Sequence, residues 1–336
     1  MNTSGIIITA EPFGVSAVAE CLSKGEYLKL EENHIIANKH LTLSFRKACF
    51  DDGDVIRLGH GEGVYSASYL ELTKTSIRIY EQTNDVRLVA EMSHGLTLGD
   101  YVSISVDVGY ASVEIALSSA GRAYHSGVVA ESWSGRNGAI FAVSTGSDIS
   151  DVKMHWHCSD YQNDIWLFGD SYFNPVSPIR WTSYMISDGY TENLLSGYPG
   201  RNTASALKDF KQALTHGKPK YAVWCMGMND ADTDTEISTS YLNATEEFLR
   251  LCELNGIAPI LSTIPCVPER SHVFKNEWVR STELRYVDFA KAVGGEKIGS
   301  SWYADMLSSD NVHPDALGAR ALYAQFLKDF PEIMNK

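Results

Sequence analysis

A length of 336 residues suggests about two domains at ~150 residues each, and 44 % hydrophobic with 21 % charged residues is ordinary globular composition, enough to bury full cores. With 42 acidic against 28 basic residues the net charge is −14, which argues against nucleic acid or an anionic membrane as a partner and fits a neutral substrate. The six cysteines are scattered without a Cys-x-x-Cys pair, so no zinc site is expected, and no run approaches the ~20 apolar residues of a membrane span.

The N-terminus has no signal-peptide pattern. No Lys or Arg precedes Lys24, and Glu11-Pro12 cut off the apolar run Ile6-Ile7-Ile8. A cytoplasmic location is expected for the chain as written, and a secreted or periplasmic one if a leader has been removed.

Residues 1–160 carry short runs of period two: Leu41 to Arg46, Ser76 to Tyr80, Val86 to Ala90, Tyr101 to Val108, Ser112 to Leu117, Gly138 to Val143 and Val152 to His157. Alternation over such lengths, with turn signals between, predicts half-buried strands of an antiparallel β-sandwich, loosely jelly-roll-like. His155 and His157 share a face of the last strand. With no third ligand in register, a surface or domain-contact role is expected rather than a metal.

The pattern changes near residues 159–163. From there, apolar runs alternate with helical stripes, the signature of a parallel sheet with crossover helices, so residues 161–336 are predicted as a second, α/β three-layer domain. Strands are expected at Ile165 to Phe168, around Leu194-Leu195, at Tyr221 to Met226 and at Ala258 to Ile264. A helix is expected from Thr203 to Leu214. Another is marked by Tyr241, Ala244, Thr245, Phe248, Leu249 and Cys252, a one-sided stripe ended by Gly256. A further helix is expected from about Lys275 to Val293, and the last opens with Pro314 in its first turn.

The first parallel strand runs straight into Gly169-Asp170-Ser171, so Ser171 sits at a strand's carboxyl end, where open α/β sheets bind ligands. A serine nucleophile needs a base, an orienting group and oxyanion donors. Three later stretches offer them: Gly197-Tyr198-Pro199-Gly200-Arg201-Asn202-Thr203, Gly227-Met228-Asn229-Asp230 and Asp310-Asn311-Val312-His313-Pro314. His313 is the candidate base. Asp310, three residues earlier on a turn, can reach the other ring nitrogen and fix its tautomer.

These four blocks in order resemble the SGNH (GDSL-type) hydrolase superfamily, over roughly residues 164–333; Tyr172 stands where the name-giving pattern has leucine. The resemblance implies a serine esterase with Ser171, Asp310 and His313 as catalytic residues and no cofactor or metal. It also implies oxyanion donors from the backbone N–H groups of Ser171 and Gly200 and the side chain of Asn229. Tyr172, Arg201 and Trp302 are weaker candidates for substrate contact. A sandwich placed before such a domain is similar to carbohydrate acetyl esterases, which points to short acyl esters of a sugar. The alternatives are a lipase- or thioesterase-type acyl hydrolase and a carbohydrate-binding protein with an inert hydrolase domain.

Overall fold

The computed structural model describes residues 5–61, 67–82, 86–110, 112–129, 138–174, 180–233, 235–297 and 302–334. The chain divides into two compact units, residues 1–159 and 160–336.

The first unit contains thirteen described strands: β1 (Ile7–Glu11), β2 (Gly14–Leu22), β3 (Tyr27–Asn33), β4 (Lys39–Arg46), β5 (Ile56–Gly61), β6 (Ala67–Leu72), β7 (Ser76–Gln82), β8 (Val86–Ser93), β9 (Tyr101–Val108), β10 (Ser112–Ser119), β11 (Arg122–Val129), β12 (Gly138–Ser144) and β13 (Ile149–Cys158). They form two antiparallel sheets, in the orders β1-β2-β13-β4-β9-β10-β11 and β3-β12-β5-β6-β7-β8. Period-two patterning is what makes each sheet one-sided. In β9, Val102, Ile104, Val106 and Val108 are buried while the residues between them face out, and β10 repeats this with Val113, Ile115 and Leu117. Strands β1, β2, β3, β5, β6 and β11 lie outside the period-two runs of the sequence. None of the residues of β11 is fully buried, and its two valines, Val128 and Val129, are adjacent, so its periodicity is nearly silent.

The second unit holds a parallel sheet in the order β15-β14-β16-β17-β18, from β14 (Ile165–Gly169), β15 (Leu194–Gly197), β16 (Tyr221–Cys225), β17 (Ala258–Ser262) and β18 (Tyr286–Val287). Its helices are α1 (Trp181–Ser187), α2 (Thr203–His216), α3 (Thr239–Asn255), α4 (Val273–Ser281), α5 (Phe289–Val293) and α6 (Ala316–Asp329). Helices α2 and α3 pack together, as do α1 and α5 with α6. Phe168 of β14 meets Phe210 of α2 edge-on at 5.4 Å, and Trp224 of β16 stacks on Phe248 of α3 at 4.3 Å. The predicted stripe of α3 is the face it buries, and Gly256 ends the helix at φ 65°, a left-handed cap that glycine adopts freely.

Two local expectations are corrected. The helix expected from Lys275 to Val293 is broken: Thr282 is extended (φ −70°, ψ 148°) and the chain enters β18 before α5 begins. The open edge of β17 explains the break. Leu261 N–H donates to Arg285 O and Thr263 N–H to Val287 O, and those sheet bonds outweigh helical periodicity. Pro314 lies one residue before the cap of α6 rather than in its first turn. Asp315 takes the cap position, its carboxylate accepting from Leu317 and Gly318 N–H.

Candidate active site

In the sheet order β15-β14-β16, the chain winds one way from β14 to β15 and the other way to β16 and β17. A crevice for ligands opens where the winding reverses, at the carboxyl ends of β14 and β16. The loops bearing Ser171 and Asn229 leave those two ends. Close packing sets the turn after β14: a Cβ at Gly169 would lie 2.4 Å from the Cβ of Phe173. The turn closes with Phe173 N–H donating to Asp170 O, and Arg180 Nε donates to Ser171 O at 2.6 Å.

Three predicted residues come together here. His313 Nε2 lies 2.8 Å from Ser171 Oγ, and His313 Nδ1 lies 2.8 Å from Asp310 Oδ2. Oδ1 of Asp310 accepts from the Ser308 hydroxyl and from the N–H groups of Val312 and His313. Burial works to raise the Asp310 carboxyl, but these bonds, with that from the imidazole, outweigh it and hold the group well below the usual carboxylate range. Asp310 is therefore an anion at any working pH, facing the ring nitrogen that is not turned to Ser171.

The two glycines of the second block serve different needs. A Cβ on Gly197 would meet Phe173 Cδ1 at 2.6 Å, so this glycine is a packing requirement beneath the serine turn. Gly200 has φ +74° with open space above its α-carbon. Among the described residues the N–H groups of Gly200 and Ser171 have no hydrogen-bond acceptor. Asn229 spends one amide hydrogen on Arg201 O at 2.9 Å and has no further acceptor for the second among the described residues. Asp230 ties the two loops together, its carboxylate accepting from both the N–H and the hydroxyl of Thr203 at the start of α2. A carboxylate is favoured at that position by the unpaired N–H groups of the helix terminus.

The weaker candidates are placed differently. Arg201 is turned inward, against the expectation of substrate contact. It is 6 % exposed, pairs with Asp209, and donates to Ser196 Oγ at 3.0 Å and Gly169 O at 3.4 Å. Its guanidinium is held by the Asp209 carboxylate, the Ser196 hydroxyl and the Gly169 carbonyl rather than by solvent. Tyr172 is buried, and its hydroxyl donates to Val312 O, bracing the loop that carries His313. The Trp302 indole donates to Cys266 O at 2.8 Å, and its ring lies 6.4 Å from that of Tyr172. Both aromatics support the site's wall.

Sequence reasoning missed three contributors. Arg180 orients the Ser171 peptide. Asp170 is buried, and its carboxylate accepts from Tyr172 N–H at 3.0 Å and from the backbone of Met228, joining the serine loop to the Asn229 loop. Arg270, from the polar stretch after β17, reaches Asn229 Oδ1 at 3.4 Å. Arg180 and Asp170 stand near Ser171 in the chain, but residue type alone does not show their partners, and Arg270 acts across 41 positions.

Among the described residues no group of three His, Cys, Asp or Glu side chains could hold a metal ion. His155 Nε2 lies 3.3 Å from Glu11 Oε2, within the first unit. All six cysteines are free thiols, and among the described residues no helix is long and apolar enough to cross a membrane.

No family model and no curated protein matches the chain. Solved structures do. A lipase/acylhydrolase from Enterococcus faecalis is 24 % identical, with TM-score 0.39, over 51 % of this chain and 96 % of that one. A GDSL-like lipase from Bacteroides thetaiotaomicron is 16 % identical, with TM-score 0.39, over 51 % and 87 %. The psychrotrophic esterase EstA from a Pseudoalteromonas species is 13 % identical, with TM-score 0.41, over 52 % and 100 %. Each likeness covers about half of this chain and most or all of the other.

Proposed function

We propose that the chain is a serine esterase of the SGNH superfamily that removes short acyl groups, acetyl above all, from a carbohydrate. The observation that carries the esterase reading is the continuous path Ser171 Oγ, His313 Nε2, His313 Nδ1, Asp310 Oδ2, with both links at 2.8 Å.

Ser171 Oγ attacks the ester carbonyl while its proton passes to His313 Nε2. Asp310 stabilises the imidazolium that forms. The carbonyl oxygen becomes an oxyanion, received by the N–H groups of Ser171 and Gly200 and the free amide hydrogen of Asn229. His313 returns the proton to the leaving alcohol oxygen as the C–O bond breaks, leaving an acyl-serine. Water, deprotonated by His313, repeats the sequence and releases the carboxylic acid.

One observation supports the finer reading. On the outer face of the first unit, His157, His40, Asp107 and Glu114 stand opposite one another across β13, β4, β9 and β10. They line a groove of about 400 Å³ rich in hydrogen-bonding side chains, which suits a ligand rich in hydroxyls. We infer that this unit is a jelly-roll-like sandwich serving as an accessory domain.

The test is hydrolysis of p-nitrophenyl esters from acetyl to decanoyl, with Ser171→Ala as control, followed by acetylated sugars. Activity confined to short chains and lost in the variant is expected. Rates that rise with chain length would transfer the reading to a lipase or thioesterase. No turnover and no phosphonate labelling of Ser171 would transfer it to a binding protein.

A further inference from the structure

We infer that Arg270 is a positioning residue for the oxyanion site: its guanidinium fixes which way the Asn229 amide faces and strengthens the N–H it presents. The inference rests on the serine-esterase reading of Ser171 and Asn229.

A primary amide has two ends of nearly equal size, one accepting and one donating. An asparagine serves an oxyanion only with its NH2 end turned to the site, and something must hold it there. Here both ends are held. The Asn229 Nδ2 donates to Arg201 O at 2.9 Å, and Arg270 Nη1 donates to Asn229 Oδ1 at 3.4 Å. The same Nη1 reaches Met228 O at 3.5 Å, so the guanidinium grips the Asn229 loop at two successive residues. A flipped amide would place NH2 against the guanidinium and oxygen against the Arg201 carbonyl, two repulsive contacts in place of two favourable ones.

The local chain is built to keep Arg270 in place. Arg270 N–H donates to Val267 O and Val267 N–H to Arg270 O, both at 3.1 Å, closing a tight turn after β17. Although the protein carries 42 acidic residues, Arg270 makes no ion pair among the described residues. Its guanidinium is therefore not spent on a direct ion pair with a carboxylate. A cation donating to Oδ1 draws electron density from the amide, making Nδ2–H a better donor to an anion. That gain matters most when the negative charge develops, so it acts on kcat more than on KM.

The experiment compares wild type, Arg270→Met, Arg270→Lys, Asn229→Ala and the double variant Asn229→Ala/Arg270→Met on p-nitrophenyl acetate. Affinity for a boronic acid that forms a tetrahedral adduct on Ser171 is measured in parallel. Arg270→Met is expected to lower kcat about 10- to 100-fold, by analogy with partial loss of one oxyanion donor, with KM changed less than threefold. Boronate affinity should fall by a similar factor. Arg270→Lys should recover part of the loss, and in the Asn229→Ala background removal of Arg270 should cost little more. A folded Arg270→Met with kcat within twofold of wild type would overturn the inference, as would an undiminished loss in the Asn229→Ala background. Should Arg270→Met fail to fold, the same cycle run with Arg270→Lys decides: a loss shared with Asn229→Ala supports the inference and an additive loss overturns it. A wild type no more active than Ser171→Ala would be a failure of the esterase reading itself, and is seen before any Arg270 variant is made.

Discussion

Asp310 divides its carboxylate, giving one oxygen to Ser308, Val312 and His313 N–H and keeping the other for His313 Nδ1 at 2.8 Å. The residue thus shapes the loop and orients the base at once. Asp310→Asn keeps an acceptor for the loop but can place an amide NH2 against Nδ1, which favours the wrong tautomer. A kcat loss of about 10³- to 10⁴-fold with little change in melting temperature is expected from the equivalent change in other triads. Steady-state kinetics on p-nitrophenyl acetate checks this, and a loss below tenfold would separate Asp310 from the chemistry.

Asn229→Ala removes one proposed oxyanion donor and also the acceptor for Arg270. The expected loss is about 10²- to 10³-fold in kcat. An undiminished kcat, measured on the same ester, would exclude Asn229 from the mechanism.

Gly197 and Gly200 should respond oppositely to alanine. Gly197→Ala pushes a methyl group to 2.6 Å from Phe173 Cδ1, an overpacking that costs about 1–3 kcal/mol of stability. Gly200→Ala meets open space but a φ of +74°, for a strain of about 1–2 kcal/mol, and it disturbs a proposed oxyanion N–H. Denaturant melts alongside kinetics distinguish them: Gly197→Ala should lose mainly stability, and Gly200→Ala should show the larger loss of kcat. The reverse pattern would reassign the donor.

Burial pushes the Asp170 carboxyl up to about 7, repulsion from Asp230 adding to it and the backbone donors Tyr172 and Met228 opposing it. The folded value lies above the ~3.9 of an unfolded aspartate, so the folded state binds the proton more tightly. The stability this contributes is complete below pH ~4 and is lost as pH rises through about 7. Asp170→Asn has no proton to lose. Denaturant unfolding from pH 4 to 8 should therefore show a steeper decline for wild type than for the variant, and parallel curves would refute the assignment.

Much of the site is legible because its chemistry is carried by residue types with few substitutes. Ser171, Asp310 and His313 are named by the sequence and stand 2.8 Å apart in the folded chain. What was not legible acts through direction and partner. Arg201 beside Gly200 looks like a substrate contact, yet its pairing with the Asp209 carboxylate turns it inward. The helix expected from Lys275 onward breaks because the unpaired edge of β17 claims Arg285 and Val287, a demand no local periodicity records.

The sequence by itself determined the two kinds of layer, since a period of two or of 3.6 decides which face each element can bury. It also named Ser171, His313 and Asp310 as candidates, since those residues follow strand ends and precede helices. Tertiary structure alone decided the order β15-β14-β16, which brings the loops after β14 and β16 side by side. It alone decided that Asp230 would hold Thr203, and that Arg270 would grip Asn229. Periodicity is a property of neighbours in the chain. The order of parallel strands and the aim of a charged side chain are settled by packing among residues tens of positions apart.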